Sequence, residues 1–125
     1  MIRAGEIRAY RVWRARPTID RDSWVLASVS MGTIWRPGVP MDGDVDGYHR
    51  AGVFAFKDLK SAQEWALADD FRYPVTVVGE VDLWGLVMEH ERGYRAQYAR
   101  PRAFREAKGR NAEAALAELR SCFDV

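Results

Sequence analysis

The chain has 125 residues, 48% of them apolar, with 19 basic groups against 18 acidic ones and a net charge of +1. That size and composition suit one globular domain: a disordered chain would be far less apolar, and a second domain would need roughly 50 more residues. No stretch approaches the roughly 18 consecutive apolar residues of a membrane span, and the polar start, Met1 to Glu6, lacks the apolar core of a secretory signal, so the expected location is cytoplasmic, with no membrane.

Residues 7–14, Ile-Arg-Ala-Tyr-Arg-Val-Trp-Arg, are rich in aromatic and β-branched side chains and read as a first strand that stops at Pro17. A second strand is expected over residues 23–29, turning into a third at residues 33–35 before Pro37-Gly38 breaks the pairing. Residues 36–48, with two Pro, three Gly and three Asp, read as a loop. The apolar run from Ala51 to Phe56 suits a central strand. Asp58 then reads as the N-cap of a helix over about residues 59–69, packed on the sheet through Trp65. Residues 75–90 form the longest β-like segment, and Gly79 and Gly85 inside it mark bulges or bends. Glu91-Arg92-Gly93 is expected to turn it with Gly93 left-handed. The return strand, residues 94–99, would place Tyr94, Ala96 and Tyr98 on one face and end at Pro101. Asn111 caps a final helix, about residues 111–123, with Ala112, Ala115, Leu116, Leu119 and Phe123 as its core stripe. The sum is an α+β fold, a curved and mainly antiparallel sheet with two helices.

The near-zero net charge conceals blocks of opposite sign: +4 over residues 1–21, −7 over residues 37–91 and +6 over residues 92–110. Such asymmetry marks either a binding face or blocks that neutralise one another as surface ion pairs. If the first strand pairs beside residues 94–99, the two basic blocks merge into one patch. Its candidate members are Arg8, Arg14, Arg95, Arg100 and Arg102. Of the 19 basic groups sixteen are Arg, the better fork for phosphates and carboxylates.

Asp42, Asp44 and Asp46, followed by Gly47, match the first half of a calcium loop. The match then fails: Val53 stands at the twelfth position and Arg50 at the ninth, leaving a weak metal candidate. His49 lies between this acidic loop and the following strand; His90 lies between two glutamates. Phosphate-loop, dinucleotide, hydrolase and zinc signatures are all missing. Five Trp offer stacking surface, and Trp35, beside the Pro-rich loop, is the one expected to be exposed. Cys122 reads as a small core or interface residue.

From Leu83 to Pro101 the chain carries the pattern LWGxVxEHExGYRAxYAxP, and in this it resembles a family of small proteins from bacteria and their phages. The likeness extends through Trp35-Arg36-Pro37-Gly38, residues 49–57 and Gly79-Glu80-Val81, about half the chain. It implies no activity, but draws attention to His49 and the hairpin from Glu89 to Tyr98 as one site. A second, weaker likeness is to the ADP-ribosyltransferase-like fold, carried by Tyr10-Arg11-Val12 and by Gly52 to Phe56 with the helix after it. That resemblance implies Arg11 or His49 gripping NAD, Tyr48 or Phe54 stacking on nicotinamide, and Glu89 or Glu91 orienting the ribose. The candidate site is thus His49, Arg11, Tyr48, Glu89, Glu91 and Tyr94. The residues themselves call for no cofactor. The leading expectation is a binding domain for a protein partner, using an Arg-rich surface; the alternatives are an NAD-using enzyme and a nucleic-acid-binding domain.

Overall fold

The computed structural model describes residues 2–3, 6–20, 23–29, 33–43, 52–68 and 75–125. Alternating apolar and polar residues produce strands β1 (Ile2–Arg3), β2 (Ile7–Pro17), β3 (Trp24–Ser28), β4 (Ile34–Trp35), β5 (Met41–Asp42) and β6 (Val53–Phe56). Helix α1 (Leu59–Ala68) follows, then the long strands β7 (Val75–Glu89) and β8 (Gly93–Gly109), and helix α2 (Ala112–Phe123). The architecture is α+β, and no helix among the described residues is long and apolar enough to cross a membrane.

Among the described residues every pairing is antiparallel, in the order β1-β7-β8-β6-β2-β3-β4 with β5 on β8. Because β2 pairs with both β6 and β7, the strands β7, β8, β6 and β2 form a closed ring. Tyr10 faces Glu80 across one neighbour and Phe56 across the other, and Phe56 in turn faces Gly93. Glu80 and Gly93 are far apart along the β7–β8 hairpin, so closure demands the stagger and tilt of a small barrel. Strong coiling of β7 and β8 follows.

Along β7 the period of two sends Val75, Val77, Val81 and Leu83 to the inner face, where Ala9, Trp13, Ala55, Ala96 and Ala99 join them, all fully buried. Small alanines leave room for Trp13, whose ring meets Trp35 and Phe104 edge-on at 5.5 Å each. Burying one such indole contributes about 4–6 kcal/mol at most. Helix α2 lays Ala115, Leu119 and Phe123 on this cluster as its spacing predicts. Helix α1 covers the opposite face, where Ala62 meets Val12 and Val78, and its first turn is capped by Asp58, which accepts from the Ser61 amide at 2.7 Å.

Several expectations need correction. Residues 41–42 pair with Ala99 and Tyr98 rather than lying wholly in a loop. Strand β8 does not stop at Pro101; a register shift between Glu80 and Val81 accommodates the proline opposite Val81, and pairing continues to Gly109. Gly93 is not left-handed; it is buried, and glycine is required there because a Cβ would strike the Ala55 carbonyl oxygen. Asn111 does occupy the N-cap of α2, but in the left-handed region (φ 64°) and with no side-chain cap. Trp35 is 3% exposed rather than a surface residue, because its indole roofs Trp13. Cys122 is exposed, one position off the buried stripe of α2. Trp65 remains 38% exposed, its ring tilted 47° to that of Phe56 with centroids 6.3 Å apart, and Ala62 provides the buried contact in its place.

Candidate functional site

Strands β2 and β8 flank β7, and β7 is acidic on its outer face, so the two basic blocks do not merge. Arg8 faces Asp82, which on its other side faces Arg100; Glu80 lies between Tyr10 and Ala103. Two register shifts leave Arg102 and Arg105 as extra residues on β8, and an extra residue of this kind re-aims its side chain. Both reach the acids. Arg102 Nη1 is 3.4 Å from Asp82 Oδ1 and from Oδ2, and Arg100 Nε is 3.5 Å from Oδ2. Arg105 Nη1 is 3.4 Å from Glu80, with Arg8 at 4.0 Å on the same carboxylate. Arg100 also reaches Glu6 at 3.2 Å.

The two acids lie beneath and the arginines above. The Asp82 and Glu80 side chains are 6% and 13% exposed, whereas the four arginines keep 44% to 57% of theirs in solvent. Each half-exposed pair is worth at most about 1 kcal/mol, so the lattice adds little stability. Its larger effect is geometric: carboxylates fixed by the strand hold guanidinium forks in place while leaving donors free to face a partner.

An aromatic pair borders this layer. Trp84 and Tyr98 face each other across β7 and β8 and stack with centroids 5.8 Å apart, and the Arg100 guanidinium lies 5.5 Å over the Trp84 ring. Tyr98 thereby leaves the face expected to be shared with Tyr94 and Ala96, which are both buried. Here the extra residue is on β7. Gly85 takes φ 80°, Leu86 donates its amide to Gln97 Oε1 at 3.2 Å, and the Leu86 side chain is 49% exposed with Met88 beyond it.

The remaining candidates divide. Arg14 is half-buried opposite Thr76, and Arg95 lies over the Phe54 ring at 5.7 Å; neither belongs to the layer around Asp82. Arg11 shares the inner face of β2 with Ala9 and Trp13. It donates to the Phe54 carbonyl at 2.5 Å and to Ser28 Oγ at 3.0 Å, over the Trp35 ring at 4.9 Å. Burial lowers its pKa to about 10. Glu89 receives Lys57 at 2.7 Å, with the ammonium 5.7 Å over the Tyr94 ring, and Glu91 is exposed in the turn. Arg11 and Glu89 thus have separate partners. Tyr48 and His49, like Asp44 and Asp46, lie outside the described residues, and among those described no three His, Cys, Asp or Glu side chains gather as a metal site.

No family model matches the chain, and no curated protein or solved structure does either. A functional reading rests on the chain's own geometry. Reading the sequence alone missed Glu80, Asp82 and Arg105 because the charge blocks were counted without their pairing. The alternation Glu80-x-Asp82 within a strand otherwise apolar was the available signal.

Proposed function

We propose that the protein is an interaction module whose docking surface is the outer face of the β7–β8 hairpin, and that its partner is an acidic protein segment carrying apolar anchors. The observation behind this reading is the layer of four half-exposed arginines held over Asp82 and Glu80. Arg, Trp and Tyr are residue types enriched at interface centres, and Arg100, Trp84 and Tyr98 lie together here, with Met88 further along the strand that carries Trp84. An acidic partner complements the guanidinium forks. Its apolar side chains would cover Leu86 and Met88, which are otherwise open to water. A nucleic acid fits less well, because Trp84 already stacks on Tyr98 and beneath Arg100, whereas single-strand binding needs rings free for bases.

The test is fluorescence anisotropy with two labelled probes of equal charge, a peptide of alternating Glu and Leu and a single-stranded oligonucleotide. The expected result is saturable binding of the peptide that weakens with salt and falls at least ten-fold in the double variant Arg100→Ala, Arg102→Ala. Equal binding of that variant overturns the reading. Binding of the oligonucleotide in preference to the peptide replaces it with nucleic-acid recognition.

A further inference from the structure

Strand β8 outruns its neighbours on one side. On the other side β7 pairs with it as far as Gly109, whereas β6 reaches only Ala96 and β5 only Ala99. Among the described residues no strand continues that second side over residues 100–109. Such an edge offers unpaired N–H and C=O groups on which another chain can add a strand. The direction of these groups is fixed at one point. A Cβ on Gly79 of β7 would strike the Ala103 carbonyl oxygen, so that carbonyl points at β7. Carbonyls of successive residues alternate in direction along a strand, and the Phe104 carbonyl therefore points away from β7, to the open side. There it accepts from a side chain instead of a strand. Arg120 of α2 donates to it from Nε at 3.0 Å and from Nη2 at 2.7 Å, with Nη2 also 3.5 Å from the Arg105 carbonyl.

The helix that carries Arg120 is itself fixed on β8: Leu119 is buried in the core and Phe123 meets Phe104 edge-on at 5.4 Å. The strand adds two obstacles of its own. Pro101 has no amide to give to a neighbour. Arg100, Arg102, Arg105 and Lys108 are exposed along this stretch, so two copies brought edge to edge would set like charges against each other. Asp82 and Glu80 beneath offset part of that charge, which makes repulsion a weak barrier and the occupied carbonyls the stronger one. We infer that Arg120 guards the open edge of β8, its guanidinium taking the Phe104 and Arg105 carbonyls that a second copy of this chain would need to pair β8 against β8. Fastening α2 to the sheet is the simpler role for this arginine. That role predicts only a loss of stability when Arg120 is replaced; a guard predicts a gain of self-association as well.

The experiment is sedimentation velocity of the full chain and its Arg120→Met variant over a range of concentrations, at low and at 1 M salt, joined to amide hydrogen exchange. Methionine keeps an apolar stem of similar length and removes every donor. The expected result is that the variant self-associates at least about ten-fold more tightly than the parent, and more tightly still at 1 M salt, where the basic strips are screened. Amides within residues 102–108 should gain protection from exchange as the variant associates. Arg120→Lys keeps the charge but offers one compact head for two carbonyls, and it should fall between parent and Met variant. Near-ultraviolet circular dichroism establishes which variants fold, and the lysine variant carries the test if the methionine variant does not. A folded variant that associates no more than the parent in either salt overturns the inference and leaves Arg120 as a fastener of α2. Association that leaves exchange at residues 102–108 unchanged overturns it too, because another surface is then responsible.

Discussion

The Arg102 guanidinium lies equidistant from both oxygens of Asp82, 3.4 Å from each, over a residue that is only 4% exposed. Arg100 approaches the same carboxylate from the side. A carboxylate so placed is desolvated by the strand and compensated by two groups that themselves remain in water. Removing the acid removes compensation from both arginines; removing either arginine leaves one.

Asp82→Asn should therefore cost more than Arg102→Ala or Arg100→Ala. Breaking a fully buried ion pair costs about 3–5 kcal/mol, but the arginines here are half-exposed and screened, so about 1–2 kcal/mol is expected. Urea unfolding at low and at 1 M salt measures it. The difference between Asp82→Asn and the parent should shrink at high salt; a difference that does not move with salt would show that packing, not charge, holds this residue.

At Gly79 the backbone of β7 passes so close to β8 that a Cβ would strike the Ala103 carbonyl oxygen, with the Trp13 ring 3.1 Å away. Neither neighbour can yield, one being backbone and the other the centre of the core. Gly79→Ala should destabilise by at least about 2–3 kcal/mol, visible as a lower urea midpoint. Gly38→Ala is the comparison, since nothing lies within 4 Å of that site and only its positive φ opposes a side chain.

These two positions show what could and could not be read in the sequence. Strand and helix placement was legible because the alternation in Val75–Leu83 and the stripe from Ala112 to Phe123 are local patterns. The ring closure was not, because it depends on Tyr10 pairing with both Glu80 and Phe56, a non-local fact. Of the candidate site, the arginines at 100 and 102 were legible as a basic run. Their partners were not, because two extra residues in β8 set which side chains face Asp82 and Glu80. Trp35 was misread for the same reason: its local setting is a polar loop, while its neighbours in space are Trp13 and Arg11.

Asn111 holds φ 64° without a side-chain bond to the helix it precedes. Its tolerance of the left-handed region, rather than capping, explains its use there. Asn111→Gly should leave stability unchanged or raise it slightly, whereas Asn111→Ala should cost about 1 kcal/mol. Asn111→Ser separates this from a conventional cap: a side-chain cap would be kept by Ser, whereas the left-handed backbone disfavours Ser as it does Ala, so thermal unfolding of the Ser variant should show a loss close to that of Ala.

Asp58 caps α1 from the surface, and the backbone and side-chain hydrogen bonds of Ser61 hold its carboxyl below the usual range, with Lys60 adding to the effect. A carboxyl whose pKa is lower in the folded state stabilises the fold above its unfolded value and loses that contribution as pH falls through the folded one. Parent and Asp58→Ala should then differ at neutral pH and converge in acid. Unfolding curves at pH 7 and at pH 2 to 3 measure the convergence, and a constant gap would mean that shape rather than charge makes the cap.

Ser28 joins three strands through one oxygen, since it accepts from Arg11 Nη2 at 3.0 Å and from Trp35 Nε1 at 2.8 Å. The usual net worth of a single hydrogen bond, about 1 kcal/mol, does not describe its removal. Ser28→Ala leaves two donors without an acceptor, one of them charged, and each carries a desolvation penalty of about 1–3 kcal/mol. The expected loss is thus about 2–4 kcal/mol, more than for a typical surface serine. Trp35→Phe, which removes one of the two donors and leaves the oxygen to Arg11, should lose less through this bond, although it thins the contact with Trp13. A double-mutant cycle between Ser28→Ala and Trp35→Phe isolates the coupling. If the two losses simply add, the bond from Trp35 Nε1 contributes nothing and the Ser28 oxygen serves Arg11 alone.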